Sequence, residues 1–270
     1  MSVVMPRPVR VFGALVARDV STTMMYRGWL VMLQLGNLVV PVISLLVWQG
    51  ALSLGAQLPV GREYLVTYFV LVSLVSMLTS SWTAGFLAQS IRLGDLASWL
   101  VRPCSTHLNG IANNVAEKLV KLLLMVPMVL ILAILVRGQL GLPTNPLRWL
   151  GFVLSIAMAA GITFSFDVMV GSLAFWFEDV FGFDRARALA ARVLSGGIVP
   201  LALLPEALQG FLAVQPFRFM LSFPLEVLLG TTRGSVATGF ALQAGWLAVF
   251  AGGAALIWRV GLRGYQAAGA

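Results

Sequence analysis

Gly28-Trp-Leu-Val-Met-Leu-Gln-Leu-Gly-Asn-Leu-Val-Val-Pro-Val-Ile-Ser-Leu-Leu-Val-Trp-Gln-Gly50 opens a run of 34 uncharged residues between Arg27 and Arg62. A helix needs roughly 20 mostly apolar residues to cross the hydrocarbon core of a bilayer. This stretch is long enough, and the pattern recurs. There are 28 uncharged residues between Glu63 and Arg92, 15 between Lys121 and Arg137, 18 between Arg148 and Asp167, 13 between Arg192 and Glu206, and 25 between Arg233 and Arg259. The sequence therefore predicts an all-α integral membrane protein. It forms a single transmembrane domain over residues 1–270, with six transmembrane helices at about 29–54, 64–88, 118–136, 148–177, 187–204 and 236–258.

Composition agrees. The 270 residues are 59% hydrophobic and 10% charged, against about 25% charged for a soluble domain, and mean hydropathy is +0.93. The net charge of +8 is read as a topology signal rather than as a nucleic-acid footprint, because Lys and Arg gather on the cytoplasmic side of membrane proteins. With six spans and a cytoplasmic N-terminus, 13 of the 18 basic residues fall inside. Both termini are thus expected in the cytoplasm. The first apolar stretch is far longer than the apolar region of a cleaved signal peptide.

Two spans are short. Lys118 and Lys121 can snorkel at the start of the third. The fifth is interrupted by Ser195-Gly196-Gly197 and Pro200. An apolar stretch at 207–217, between Pro205 and Pro216, is too short to cross. It reads as part of a re-entrant or extracytoplasmic hairpin over 205–230, or as a badly formed seventh span. Irregular backbone at that depth requires cover by protein or a cavity.

Residues 7–24 place Val9, Phe12, Val16 and Val20 at helical spacing, with Arg10, Arg18 and Ser21 elsewhere. This predicts an amphipathic helix in the cytoplasmic interface, the alternative being a disordered basic leader. Between spans two and three, Leu93, Leu96 and Leu100 share a helical face beside Trp99, and Pro103 stops the helix. Such a helix either lies on lipid headgroups or docks by its apolar face into a soluble partner.

The spans carry polar positions. Gln34, Asn37 and Ser44 lie along one side of the first, and Ser73, Ser76, Ser80 and Thr83 recur at a spacing of three to four in the second. They mediate helix packing or line a translocation path. Ala241, Gly245, Ala248, Gly252 and Ala255 form a small-residue seam in the sixth span, which predicts close helix packing. Asp167 lies well inside the fourth span. Burying its charge is costly, so it faces protein or water, with a role in coupling, in the translocation path or in structure alone.

Enzyme chemistry has no constellation to rest on. A phosphate-binding loop needs Gly-Lys, and neither lysine follows a glycine. A single histidine, His107, and a single cysteine, Cys104, exclude zinc-protease motifs, cysteine metal clusters and a disulfide framework. No catalytic or metal-binding residues are expected. His107 and Cys104 read as bystanders in a cytoplasmic connection.

Arg92-Leu-Gly-Asp-Leu-Ala-Ser-Trp-Leu-Val-Arg-Pro103, then Leu173-Ala-Phe-Trp-Phe177, then Ser195-Gly-Gly-Ile-Val-Pro200 with Pro205 and Pro216, resemble in order and spacing the membrane subunit of ABC-2-type ABC transporters. The resemblance covers nearly the whole chain. It implies a coupling helix at 92–103 that sits on separate ATPase subunits through Arg92, Gly94, Asp95, Leu96, Trp99, Leu100, Arg102 and Pro103. It implies a translocation path or dimer seam holding Gln34, Asn37, Ser44, Ser73, Ser76, Ser80, Thr83 and Asp167. ATP and Mg would be bound by the partner subunit, with no cofactor in this chain. The implied partners are ABC ATPase subunits, a second permease (a copy or a similar paralogous chain) and the lipid bilayer, without nucleic acid. The implied setting is a bacterial-type cytoplasmic (inner) membrane. The implied activity is ATP-driven export, and the apolar spans fit an amphiphilic, drug-like or lipid-linked substrate. The rival readings are an ion-gradient-driven secondary carrier and a non-transporting membrane scaffold.

Overall fold

The computed structural model describes residues 7–101 and 105–265. Among these, all regular structure is helical. Five helical segments are long and apolar enough to cross a membrane: Arg27–Ser53, Arg62–Arg92, Thr106–Leu135, Pro146–Phe175 and Val236–Gly264.

The first helix among the described residues, α1 (Arg7–Met25), lies along α6 (Thr106–Leu135). The Arg18 guanidinium donates to Asn109 Oδ1 of α6 at 2.8 Å and stands 5.8 Å from the Trp99 ring. The amphipathic segment is thus helical and braced against the long helices. The first span is α2 (Arg27–Ser53), continuous through Pro41.

The second span is not one helix. It divides into α3 (Arg62–Thr79) and α4 (Thr83–Arg92), with Ser80 extended at ψ 154. The sequence supplies the break. Thr79 Oγ1 donates to Val75 O and Ser80 Oγ to Met77 O, while Ser81 Oγ accepts from Thr83 N–H. Hydroxyls that bond nearby backbone compete with the helical ladder. A six-residue helix, α5 (Asp95–Leu100), follows α4.

The third span starts about twelve residues before the predicted boundary at 118. Ser105 caps α6 by accepting from Leu108 N–H at 3.1 Å, a standard helix start. The charges that made this span look short lie inside the helix and are paired: Lys121 with Glu117, and Lys118 with Ser80 O and Asn114 Oδ1. His107 therefore belongs to a helix, not to a loop, and its ring lies 4.7 Å from that of Trp258. The fourth span, α7 (Pro146–Ser172), starts with Asn145 as cap and Pro146 in the first turn.

The predicted span at 187–204 is not a continuous helix. Helix α8 (Phe181–Leu194) has 14 residues, about 21 Å, short of the ~30 Å hydrocarbon core. It ends at Ser195-Gly196-Gly197. A turn and three short helices follow: α9 (Glu206–Val214), α10 (Pro216–Met220) and α11 (Ser222–Leu229). Helix α11 is almost wholly buried, against α7 and α3. The last helix, α12 (Val236–Gly264), runs parallel to α7. Close approaches pair Gly151 with Phe240, Gly161 with Leu247, Met169 with Gly253 and Phe175 with Gly261, in ascending order along both helices.

The cores follow these contacts. One surrounds α3 and includes Tyr68, Phe69, Val72 and Met125. Another joins α7, α10, α11 and α12 through Ile162, Phe219, Phe223 and Phe250. Gln243 staples the second, donating to Ser155 O and Phe219 O at 3.0 Å each. The packed face of α12 holds Gly239, Gln243, Phe250, Ala254 and Trp258. The small-residue seam predicted to pack, Ala241, Gly245, Ala248, Gly252 and Ala255, faces away from the rest of the chain.

Candidate functional site

The break in the second span gathers polar side chains from three other helices. Asn114 of α6 donates from Nδ2 to Thr83 Oγ1 at 2.8 Å, and Lys118 donates to Ser80 O at 2.8 Å. Asp167 of α7 accepts from Ala84 N–H through Oδ2 at 3.4 Å, placing a carboxylate at the positive N-terminal end of α4. Asp167 is 0% exposed. Its charge is met by Arg187 of α8, whose Nη1 lies 2.8 Å from Oδ1. Arg187 also binds Asp184 at 2.8 Å and sits 5.8 Å from the Phe166 ring. Buried charges persist when paired and hydrogen-bonded.

Backbone approach makes the joint tight. A Cβ on Gly171 of α7 would stand 2.8 Å from Ala84 O. That is closer than a side chain tolerates, so glycine lets α4 lie directly on α7. Helix rise places the parts at one level. Ser80 is about 27 Å from the start of α3, Lys118 about 26 Å from the end of α6 and Asp167 about 32 Å from the start of α7.

Of the proposed path residues, Ser80, Thr83 and Asp167 meet at this break. The others do not join them. Gln34 is 0% exposed and Ser73 3%; Gln34 Nε2 and Ser73 Oγ find no partner among the described residues. Ser44 is buried. Asn37 and Ser76 face outward, with Asn37 Nδ2 donating to Gln34 Oε1 at 3.2 Å. A shared stripe fails because the second span breaks and because its 3–4 spacing straddles the buried and outward faces.

The segment expected to couple to an ATPase lies at the far end of α4. Arg92 closes α4 and is exposed. Gly94 adopts φ 81, a left-handed turn that glycine accepts without penalty, and sends α5 off in a new direction. Asp95 and Leu100 are exposed. Trp99 is half-buried beneath Arg18. Leu96 is the departure from the predicted apolar docking face. It is 0% exposed and packs with Leu87, Ile91, Val168 and Trp258, anchoring α5 to the long helices. Arg102, Pro103 and Cys104 lie outside the described residues.

Three features escaped the sequence reading. Arg187 reads from sequence as one of the inside basic residues, and nothing local ties it to a residue 20 positions earlier. Lys118 reads as a snorkelling interface charge. Arg218 and Glu226, joined at 2.5 Å and both buried, fasten α10 to α11, and Arg218 also donates to Ala213 O at 2.7 Å. Their i, i+8 separation across the break at Leu221 leaves no periodic mark. Beside them, Tyr64, Gln209, Leu212, Thr231 and Arg233 line a small cleft.

The sequence pattern of ABC-2 family transporter proteins matches residues 62–269, from the start of α3 through the last helix. No match to curated proteins is found. With more than half the chain covered and five membrane-span helices in place, this multi-pass membrane protein belongs to the ABC-2 transporter family, as a transporter permease.

Proposed function

We propose that this chain is the membrane-spanning subunit of an ATP-driven exporter, working with separate ATPase subunits and a second permease. The observation that carries the coupling role is the cantilever at one end of the bundle. Helix α5 is anchored by the buried Leu96, redirected by Gly94, and presents Asp95 and Leu100 outward, beside the exposed Arg92 at the end of α4. A short, firmly seated helix with an exposed polar and apolar rim suits docking into a groove. The ATPase binds ATP and Mg, and its closure moves α5 and α4 as a rigid body.

The chain crosses the membrane six times in this reading. Helices α7 and α12 run parallel, so the segment between them returns to the side where α7 began. Helix α8, the 195–204 turn and the α9–α11 group make that return in pieces, with α11 buried against the long helices as irregular backbone in hydrocarbon requires cover by protein. The α9–α11 group is then a re-entrant hairpin on the extracytoplasmic side, and both termini are cytoplasmic in a bacterial-type inner membrane.

The seam with a second permease follows α2 and α3. Asn37 and Ser76 are exposed on adjacent helices, about 24 Å and 21 Å from the helix ends joined by the 54–61 loop. Outward polar side chains at that depth favour a protein partner or a water-filled cleft over lipid. The substrate path lies in that cleft, and its apolar walls suit an amphiphilic, drug-like or lipid-linked molecule. A secondary carrier would need an ionisable group free to cycle, whereas Asp167 is held by Arg187.

The direct test is the double variant Asp95→Lys, Trp99→Ala. ATPase association and ATP-driven transport are expected to fall at least tenfold with the membrane fold intact. Wild-type association and transport would reject the coupling assignment.

A further inference from the structure

We propose that Arg187 is a transducing residue: its ion pair with Asp167 carries movement of the α4–α5 cantilever into α8 and on to the α9–α11 hairpin. This rests on the permease reading and adds a route from the ATPase side to the opposite end of the bundle.

The route is continuous in named contacts. Helix α4 begins at the break after Thr79, and its first turn is bound by Asp167 at Ala84 N–H and pressed on α7 at Gly171. Asp167 is fully buried and its charge is balanced by Arg187 at 2.8 Å. Arg187 is clamped in turn by Asp184, one turn earlier on α8, and by the Phe166 ring on α7. Seven residues further along α8, about 10 Å, the helix ends in three carbonyls that all have partners on other elements. Gln215 Nε2 donates to Leu194 O at 2.8 Å, Ser222 Oγ donates to Ser195 O, and Tyr68 OH donates to Gly196 O at 2.8 Å. The far end of α8 therefore grips α10, α11 and α3.

A shift of α4 along α7 alters the distance between Ala84 N–H and Asp167, and a buried carboxylate cannot part from its counter-charge without large cost. Arg187 therefore follows, and α8 moves as a rod. The hydroxyl-rich break at Thr79–Thr83 is the only interruption within the second span, so it is where such bending concentrates.

A merely structural pair is replaceable. Buried ion pairs exchanged together for apolar side chains often leave a fold as stable as before. The experiment uses the full chain with its co-purified ATPase in lipid nanodiscs and Cys104→Ser as background. Spin labels are placed at two pairs of exposed positions, Gln89 with Val260 and Leu147 with Leu208. Distances are measured without nucleotide and with Mg-ATP trapped by vanadate. In the wild type both pairs shift. In Asp167→Leu, Arg187→Leu the Gln89–Val260 shift persists and the Leu147–Leu208 shift is lost. Arg187→Lys, which retains the cation, recovers at least half of it. A full Leu147–Leu208 shift in the double leucine variant overturns the proposal. So does a wild type that moves at Gln89–Val260 alone, or at neither pair with the ATPase bound. Absence of any co-purifying ATPase fails at an earlier step and rejects the permease reading itself.

Discussion

Asp167, fully buried in the last two turns of α7, meets Arg187 of α8 at 2.8 Å, and the same carboxylate reaches the first turn of α4 at Ala84 N–H. One side chain therefore joins the broken second span to both α7 and α8. A single substitution leaves a buried charge unmatched. Asp167→Ala is predicted to destabilise the protein by about 3–5 kcal/mol, seen as a lower thermal midpoint in detergent. Asp167→Leu, Arg187→Leu should regain most of that loss. A double variant no better than the single would show that the pair is not one unit.

Leu96 and Leu100 lie on one short helix and are expected to separate anchoring from docking. Leu96 is fully buried and Leu100 is 45% exposed. Leu96→Ala should cost about 2–4 kcal/mol through the cavity it leaves. Leu100→Ala should leave stability within about 0.5 kcal/mol while weakening ATPase association several-fold. Thermal melts and pull-down titrations of the two variants check this, and equal behaviour in both assays would contradict the assigned roles.

Gly171→Val places side-chain carbon within 2.8 Å of Ala84 O. The α4–α7 contact must open, so ATP-driven transport should fall at least tenfold. Protein yield should drop less sharply than in Asp167→Ala, because α7 keeps its other partners. Transport at wild-type rate would show that α4 need not lie against α7.

Arg218 and Glu226 fasten the α10–α11 turn with both charges buried. Glu226→Gln leaves Arg218 unbalanced and is predicted to cost about 3 kcal/mol. Limited proteolysis in nanodiscs should then show faster cleavage between 205 and 235, with the long helices unaffected. Unchanged cleavage would mean that packing of α11 alone holds the hairpin.

The long uncharged runs made the membrane class and four of the spans legible, because apolar length is a one-dimensional signal. The family resemblance rests on the stretches 92–103, 173–177 and 195–200 with Pro205 and Pro216, which are also local. What escaped was whatever needed two distant segments. The start of α6 was misplaced because Lys118 and Lys121 read as boundary charges. Their partners Ser80 and Glu117 show them to be interior. The second span's hydroxyls read as a stripe, yet Thr79 and Ser80 donate to the carbonyls of Val75 and Met77, at the point where the helix breaks. Leu96 looked like a docking residue because helical spacing cannot tell which side of a short helix faces the bundle. Asp167 stood out as a lone intramembrane acid, but Arg187 lay outside any window that would have named it.

The proposed partnership of this permease with a separate ATPase through α5 is decided by affinity purification of the tagged chain in mild detergent, with mass spectrometry of what accompanies it, for the wild type and for Asp95→Lys, Trp99→Ala. A soluble ATPase carrying a phosphate-binding loop is expected at about equal amount with the wild type, and is expected to be lost from the variant. A wild-type chain that emerges without an ATPase after gentle extraction and crosslinking would contradict it.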